Sequence, residues 1–312
     1  MRLRIDLAYD GTDFHGWAAQ PGLRTVQAEV TEALTTILRL PEGALWVTVA
    51  GRTDSGVHAC GQVTHVDVPT GEDGSETAER LLQRLDILAR RMNGVLARDV
   101  RVHRISEAPP GFDARFAALW RRYAYRIIDD PARVDPLTRN HVLSWSRPLD
   151  VEAMDAAARS LVGLHDFASF CKRREGATTI RTLQEFSWRR EDSGLLVGHV
   201  RADAFCHSMV RALVGCMIAV GEGRKPVAWA AEVLSAQRRD PNVVVVPANG
   251  LTLEEVAYPD EAGLAARVAQ TAARRTARAA EAGTEAGTEA GTEVGTEVGT
   301  EASTEASIEE QA

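Results

Sequence analysis

Ala50-Gly51-Arg52-Thr53-Asp54-Ser55-Gly56-Val57-His58-Ala59 is the stretch around which the chain is organised. An apolar, β-branched run (Leu45, Trp46, Val47, Thr48, Val49) leads into it, and an alternating run (Gln62, Val63, Thr64, His65, Val66, Asp67, Val68) leads out. Both flanks read as strands, so the stretch is a loop between them. Loops on a rigid scaffold are where chemistry concentrates. Gly51 and Gly56 open backbone conformations closed to other residues, and between them lie one cation, two hydroxyls and one carboxylate. Asp-Ser-Gly is also ordinary turn chemistry. By itself the stretch is either a turn or a functional loop.

Upstream, Leu3, Ile5, Leu7 and Tyr9 alternate with Arg4, Asp6 and Ala8, as a half-buried strand does. Asp10-Gly11-Thr12-Asp13 turns the chain into Phe14-His15-Gly16-Trp17. Thr25 stands where it can cap a helix bearing Val26, Val30, Ala33, Leu34, Ile37 and Leu38, which Pro41 and Gly43 end. Downstream, residues 77–91 read as a second helix, broken at Asn93-Gly94, and Val100, Val102 and His103 begin another strand. Strand, helix, strand, strand, helix, strand is close to a ferredoxin-like order.

The second half opens with Pro109-Pro110-Gly111 and Phe112-Asp113-Ala114-Arg115-Phe116, then Trp120-Arg121-Arg122-Tyr123-Ala124-Tyr125-Arg126. Strand alternation puts Arg121, Tyr123 and Tyr125 on one face, with Arg122, Ala124 and Arg126 on the other. Tyrosines flanked by arginines can stack on a base, worth roughly 1–3 kcal/mol, while the cations hold phosphates. A sheet face with snorkelling arginines is the bland alternative. Residues 129–148 read as loop, and Asp150 caps a helix bearing Met154, Ala157, Ala158, Leu161 and Val162. Lys172, Arg173, Arg174 and Arg181 gather after His165-Asp166-Phe167-Ala168-Ser169-Phe170, as a solvated loop or a backbone contact to RNA. Strands at about 182–190 and 195–202 lead to a helix over roughly 206–220 that is apolar almost all round. Arg211 is its one strong cation. A buried guanidinium needs a carboxylate, because an unpaired charge costs roughly several kcal/mol; Asp203 and Glu222 are the nearest in sequence.

Composition excludes several classes. With 312 residues, 45% hydrophobic and 26% charged, the chain has material for about two domains and a buried core. No run reaches the roughly 18 apolar residues of a membrane span, and Met1-Arg2-Leu3-Arg4 is charged where a signal peptide needs an apolar core. Cys60, Cys171, Cys206 and Cys216 show no paired spacing and are expected as reduced thiols of a cytoplasmic protein. His58 and His65 near Cys60 lack metal-site spacing, so no metal is expected. The net charge of -8 is concentrated in residues 281–312, which hold nine Glu and no Lys or Arg; the remainder carries 35 acidic and 36 basic residues. That tail repeats Glu-Ala-Gly-Thr without aromatics and cannot bury a core; disorder is expected over it.

The loop carrying Asp54 closely resembles the signature loop of the bacterial tRNA pseudouridine synthases of the TruA type, in which its aspartate is the catalytic residue. Ser55 stands where that family usually has Ala. Further matches follow in order: Tyr9-Asp10-Gly11-Thr12 with Gly16-Trp17, Arg121-Arg122-Tyr123-Ala124-Tyr125, Asp166-Phe167-Ala168-Ser169-Phe170, Met209-Val210-Arg211, and the closing strand within 247–258. Ala18, where the family usually has Gln, and Asp113, where it has His, are departures. The resemblance covers about residues 1–258.

It implies a mixed α/β (α+β) fold of two ferredoxin-like subdomains, residues 1–112 and 113–258, sharing a central, mainly antiparallel sheet. Residues 259–312 lie outside it; this Ala- and Arg-rich segment and acidic tail are expected to be disordered, although 262–280 have the composition of a helix. It implies isomerisation of uridine to pseudouridine at positions 38, 39 and 40 of the tRNA anticodon arm, by a homodimer needing no cofactor. It assigns catalysis to Asp54 and to Arg211 beside it, the guanidinium favouring the ionised carboxylate. Tyr123, Arg52 and a leucine, Leu251 or its neighbour Leu253, fall to substrate binding. The carboxylate either adds to C1′ or removes a C2′ proton. Two other readings stay open at this level. A non-catalytic RNA-binding protein accounts for the arginines and tyrosines but makes no use of Asp54 with Arg211. A metal- or phosphate-dependent enzyme would rest on His58, Cys60 and the 221–225 turn, which lacks phosphate-loop spacing.

Overall fold

The computed structural model describes residues 1–71, 74–172 and 178–273. Alternation writes the strands and 3.6-residue periodicity the helices, in the order β1 (Arg2–Tyr9), α1 (Val26–Leu38), β2 (Thr48–Val49), β3 (His58–Asp67), α2 (Glu76–Leu82), α3 (Leu85–Val95) and β4 (Val100–Glu107). There follow β5 (Trp120–Ile128), β6 (Leu143–Ser144), α4 (Val151–Arg159), β7 (Gly163–Asp166), β8 (Ile180–Arg190), β9 (Leu196–Ala202), α5 (Met209–Gly221), α6 (Trp229–Ser235) and β10 (Leu251–Ala257). A last described helix covers 261–273.

The ten strands of the described residues join one sheet, in the order β4-β1-β3-β10-β5-β9-β8-β7, with β2 on β3 and β6 on β5. The pairings are antiparallel except β10 with β3 and β6 with β5. The last strand in sequence therefore lies between β3 and β5. Leu253 pairs with Ala59 on one side and Tyr123 on the other. This closure leaves only β10 between the outflow of the 50–57 loop and the tyrosine strand.

Burial follows the pattern of the sequence. In β1 Leu3, Ile5, Leu7 and Tyr9 are buried, and the residues between them are not. Asp150 caps α4, its carboxylate accepting from the Ala153 amide at 2.9 Å. Thr25 occupies the N-cap of α1, but its hydroxyl makes no capping bond and is buried without a partner.

Four expectations need correction. The helix expected over 77–91 is two helices, interrupted at Gln83-Arg84, and the second runs through Asn93-Gly94. Asn93 does not break it because its side-chain amide bonds both the N–H and the C=O of Val102, tying α3 to β4. The strand before the loop is only Thr48–Val49, and the strand after it begins at His58, so His58 and Cys60 lie in β3 rather than on a loop. Cys171 and Cys206 form a disulfide, their Cα atoms 5.7 Å apart. Sequence spacing gives no sign of it, because the fold alone brings the two turns together; Cys60 and Cys216 are free. Finally, the arginines of β5 are engaged within the protein rather than free for phosphates. Arg126 donates to Glu254 at 2.6 Å and Arg122 pairs with Glu255 at 3.0 Å, both on the sheet face opposite Tyr123.

Among the described residues, no helix is long and apolar enough to cross a membrane, and no three His, Cys, Asp or Glu side chains gather to hold a metal ion. The tail expected to be disordered, and Arg173 and Arg174, lie outside the described residues.

Candidate active site

The loop from Ala50 to Val57 is held from beneath by the 9–17 segment. Gln62 on β3 donates to the Gly51 carbonyl (2.9 Å) and to the Tyr9 hydroxyl (3.1 Å). The Tyr9 hydroxyl also meets that of Thr53 at 2.8 Å. Burial pushes the Tyr9 phenol up to about 12, so it stays neutral in this network. The Trp17 amide donates to Thr53 O (3.0 Å), and the Gly56 amide (3.3 Å) and the Ser55 hydroxyl (3.2 Å) both donate to Phe14 O. Gly16 is required where the two segments touch. Its φ is +86°, and a Cβ there would fall 2.8 Å from the Thr53 carbonyl oxygen. The Phe14–Trp17 stretch is thus the bed of the loop.

Asp54 stands above this bed, its side chain 28% exposed. Three side chains from the start of α5 surround its carboxylate. Nη1 of Arg211 lies 3.9 Å from Oδ2. The Ser208 hydroxyl donates to the same oxygen at 3.3 Å. Nε2 of His207 is 3.6 Å from Oδ1. Of the thirteen residues of α5, twelve are buried and Arg211 is the exception. Its Nε donates to Val246 O at 2.7 Å, which fixes the plane of the guanidinium. The two rival partners are occupied otherwise. The Asp203 carboxylate accepts from the amides of Thr182 and Ala204, and Glu222 engages Trp145, Arg147 and Arg224.

Tyr123 projects from β5 on the same side, 7% exposed, its ring edge-on to Phe205 at 5.1 Å. Burial, together with Tyr9 and the Asp54 charge, raises its phenol well above the usual tyrosine range. Leu253 lies opposite Tyr123 and Leu251 opposite Tyr125, so both leucines share the tyrosine face. Arg52 is exposed on the loop. Asp54, Arg211 and Tyr123 are therefore brought together, Leu251 lies two register pairs further along, opposite Tyr125, and Arg52 is exposed on the loop. His207, Ser208 and Gln62 were not among the expected site residues. The available signal for the first two was position, since they immediately precede the helix that carries Arg211.

A family model described as tRNA pseudouridine synthase matches residues 157–259, which include α5 and β10. The tRNA pseudouridine synthase A of Frankia casuarinae is 59% identical over 271 residues, 87% of this chain and 94% of that protein. Its Streptomyces griseus counterpart is 58% identical, over 86% of this chain and 92% of that protein. The chain belongs to the tRNA pseudouridine synthase A family. The Mycobacterium leprae member is 49% identical, with 87% and 94% covered. A pseudouridine synthase is an isomerase. In this chain Asp54 is a half-buried carboxylate with the Arg211 cation 3.9 Å away. Of the departures from the family pattern, Asp113 has a local role: its carboxylate accepts from the amides of Arg115 (2.8 Å) and Phe116 (2.7 Å) and shapes the turn before β5.

Proposed function

We propose that this chain converts uridine to pseudouridine at positions 38, 39 and 40 of the tRNA anticodon arm, with Asp54 as the catalytic carboxylate. The supporting observation is the half-buried Asp54 side chain with Arg211 at 3.9 Å and Ser208 at 3.3 Å on one of its oxygens. The reaction breaks the C1′–N1 bond, turns the detached uracil and joins C1′ to C5. The C5 proton leaves and N1 gains one, so the product is an isomer and no redox partner is consumed. A carboxylate suits the first step because positive charge develops on the ribose as the base departs. Tyr123 and Leu251 wall the space in which the free base turns, and Arg52 grips the flanking backbone. The target uridine must leave its stack, at a cost of roughly a few kcal/mol, offset by such contacts.

We take the working unit to be a homodimer in the cytoplasm, built from subdomains 1–112 and 113–258. The test uses unmodified tRNA transcripts that carry uridines both inside and outside the anticodon arm. Carbodiimide adducts mapped by primer extension are expected at positions 38, 39 and 40 alone. Adducts elsewhere, with those three untouched, would remove the regional assignment.

A further inference from the structure

Arg121 is 8% exposed, deep in the molecule between the two arms of the site. A guanidinium out of water needs its donors satisfied. Arg121 finds three backbone carbonyls. Nη2 donates to Ala50 O (2.7 Å) and Arg115 O (2.8 Å), and Nη1 donates to Asp203 O (2.7 Å). The Asp203 carboxylate itself is turned to the amides of Thr182 and Ala204. Burial lowers the basicity of Arg121, with Tyr258, Tyr123 and Asp203 opposing.

The three carbonyls come from segments far apart in sequence. Ala50 opens the loop four residues before Asp54. Asp203 follows β9 and leads into the His207-Ser208 turn and Arg211. Arg115 belongs to the turn that sets the start of β5. Asp54 and Arg211 thus approach each other from opposite halves of the chain, and one side chain bonds the backbone behind each of them. The planar fork of arginine suits this; the compact ammonium of lysine, on a shorter reach, does not span both arms. Ser208 adds a reason for such a clamp. It holds a left-handed backbone, φ +60°, at the point where its hydroxyl meets Asp54, a conformation that persists only where its surroundings enforce it.

We propose that Arg121 is a positioning residue that sets the Asp54–Arg211 separation by clamping the backbone of both arms, and so governs turnover rather than tRNA binding. This rests on the reading of Asp54 as the reacting carboxylate. A displacement of about 1 Å at a reacting group costs on the order of 100-fold in rate, whereas Arg121, itself buried, presents no surface to a docking RNA.

The test measures single-turnover rate and tRNA Kd for Arg121→Met and Arg121→Lys, with Asp54→Asn alongside, and amide hydrogen exchange on each free protein. The expected result is a turnover loss of at least about 30-fold in folded Arg121→Met, with Kd changed by less than about threefold. Arg121→Lys recovers only part of the rate. Exchange quickens in 50–57 and 203–208 and not across the rest of the sheet. Wild-type turnover in folded Arg121→Met overturns the proposal, as does a loss confined to Kd or a uniform rise in exchange. If Arg121→Met does not fold, Arg121→Lys is judged by the same criteria; failure of both to fold makes Arg121 a core residue and also overturns it. Normal turnover by Asp54→Asn would sink the reading of the site itself. An inactive Asp54→Asn beside a fully active Arg121→Met would remove the clamp alone.

Discussion

Oδ2 of Asp54 lies 3.9 Å from Nη1 of Arg211, and Arg211 is the one residue of α5 that is not buried. A helix otherwise sealed in the core exposes a single cation at the carboxylate on the 50–57 loop. The Nε bond to Val246 O holds the guanidinium in that orientation. Arg211→Met, which keeps the length and removes the charge, is expected to lower turnover about 100-fold, or ~3 kcal/mol in the barrier. Its tRNA affinity should change by less than about threefold. Filter binding beside single-turnover kinetics checks both; a loss confined to affinity would contradict the pairing.

Tyr123 contributes a buried ring and a buried hydroxyl, and two substitutions separate them. Tyr123→Phe keeps the edge-on contact with Phe205 and should melt close to wild type. Tyr123→Ala should lose about 3 kcal/mol of stability to the cavity it leaves. Because burial raises the phenol well above its ordinary range, the hydroxyl stays protonated through neutral pH. Wild-type turnover should therefore show no alkaline decline from this group below about pH 10. A limb near neutrality that disappears in Tyr123→Phe would disprove this.

Gly16 carries the close approach of the Phe14–Trp17 segment to the loop. Gly16→Ala combines φ +86° with a Cβ 2.8 Å from Thr53 O and 3.1 Å from the Asp54 carbonyl carbon. Gly22→Ala is the control, since its φ is +72° but the space around it is open. The backbone cost, about 1 kcal/mol, is common to both. Only Gly16→Ala should lower turnover as well, because only there is the Asp54 backbone displaced. Equal activity of the two variants would show that the loop absorbs the contact.

His58 begins β3 at 5% exposure, and burial lowers its pKa, with Asp10 opposing. The sign of the resulting pH dependence follows from linkage. The folded pKa lies below the unfolded value of about 6.5, so the unfolded chain binds more protons in the interval between them. Stability is fully present above about pH 6.5 and declines as pH falls from there through the folded pKa. His58→Gln should flatten this part of the profile, read as urea midpoints from pH 7.5 to 5. An unchanged slope would assign the acid sensitivity to other groups, His65 first, whose pKa burial also lowers.

Much of this architecture is legible in local pattern. Leu3, Ile5, Leu7 and Tyr9 announce β1 by alternation, and Asp150 announces α4 by its capping carboxylate, because both signals are local and of one period. The loop around Asp54 was legible as a loop, and Arg211 as a cation in need of a partner. That the partner is Asp54 rather than Asp203 or Glu222 was not legible from the residues, since nothing local encodes the parallel pairing of β10 with β3. Only the family resemblance pointed to it. The same limit hides the Cys171–Cys206 bridge and the bonds of Arg121, each of which joins turns from different strands. Asn93-Gly94 misled for the opposite reason: a strong local breaker is overridden by one tertiary contact, the Asn93 amide on Val102.

The most direct measurement is tritium release from tRNA labelled at uridine C5, by the wild-type protein and Asp54→Asn, in the presence of EDTA. Forming the C1′–C5 bond expels that hydrogen, so release counts turnovers. Release by the wild type, and none by a folded Asp54→Asn that still binds tRNA, is the predicted result. Equal release by the two proteins would contradict it, leaving the enzyme but removing Asp54 from the chemistry.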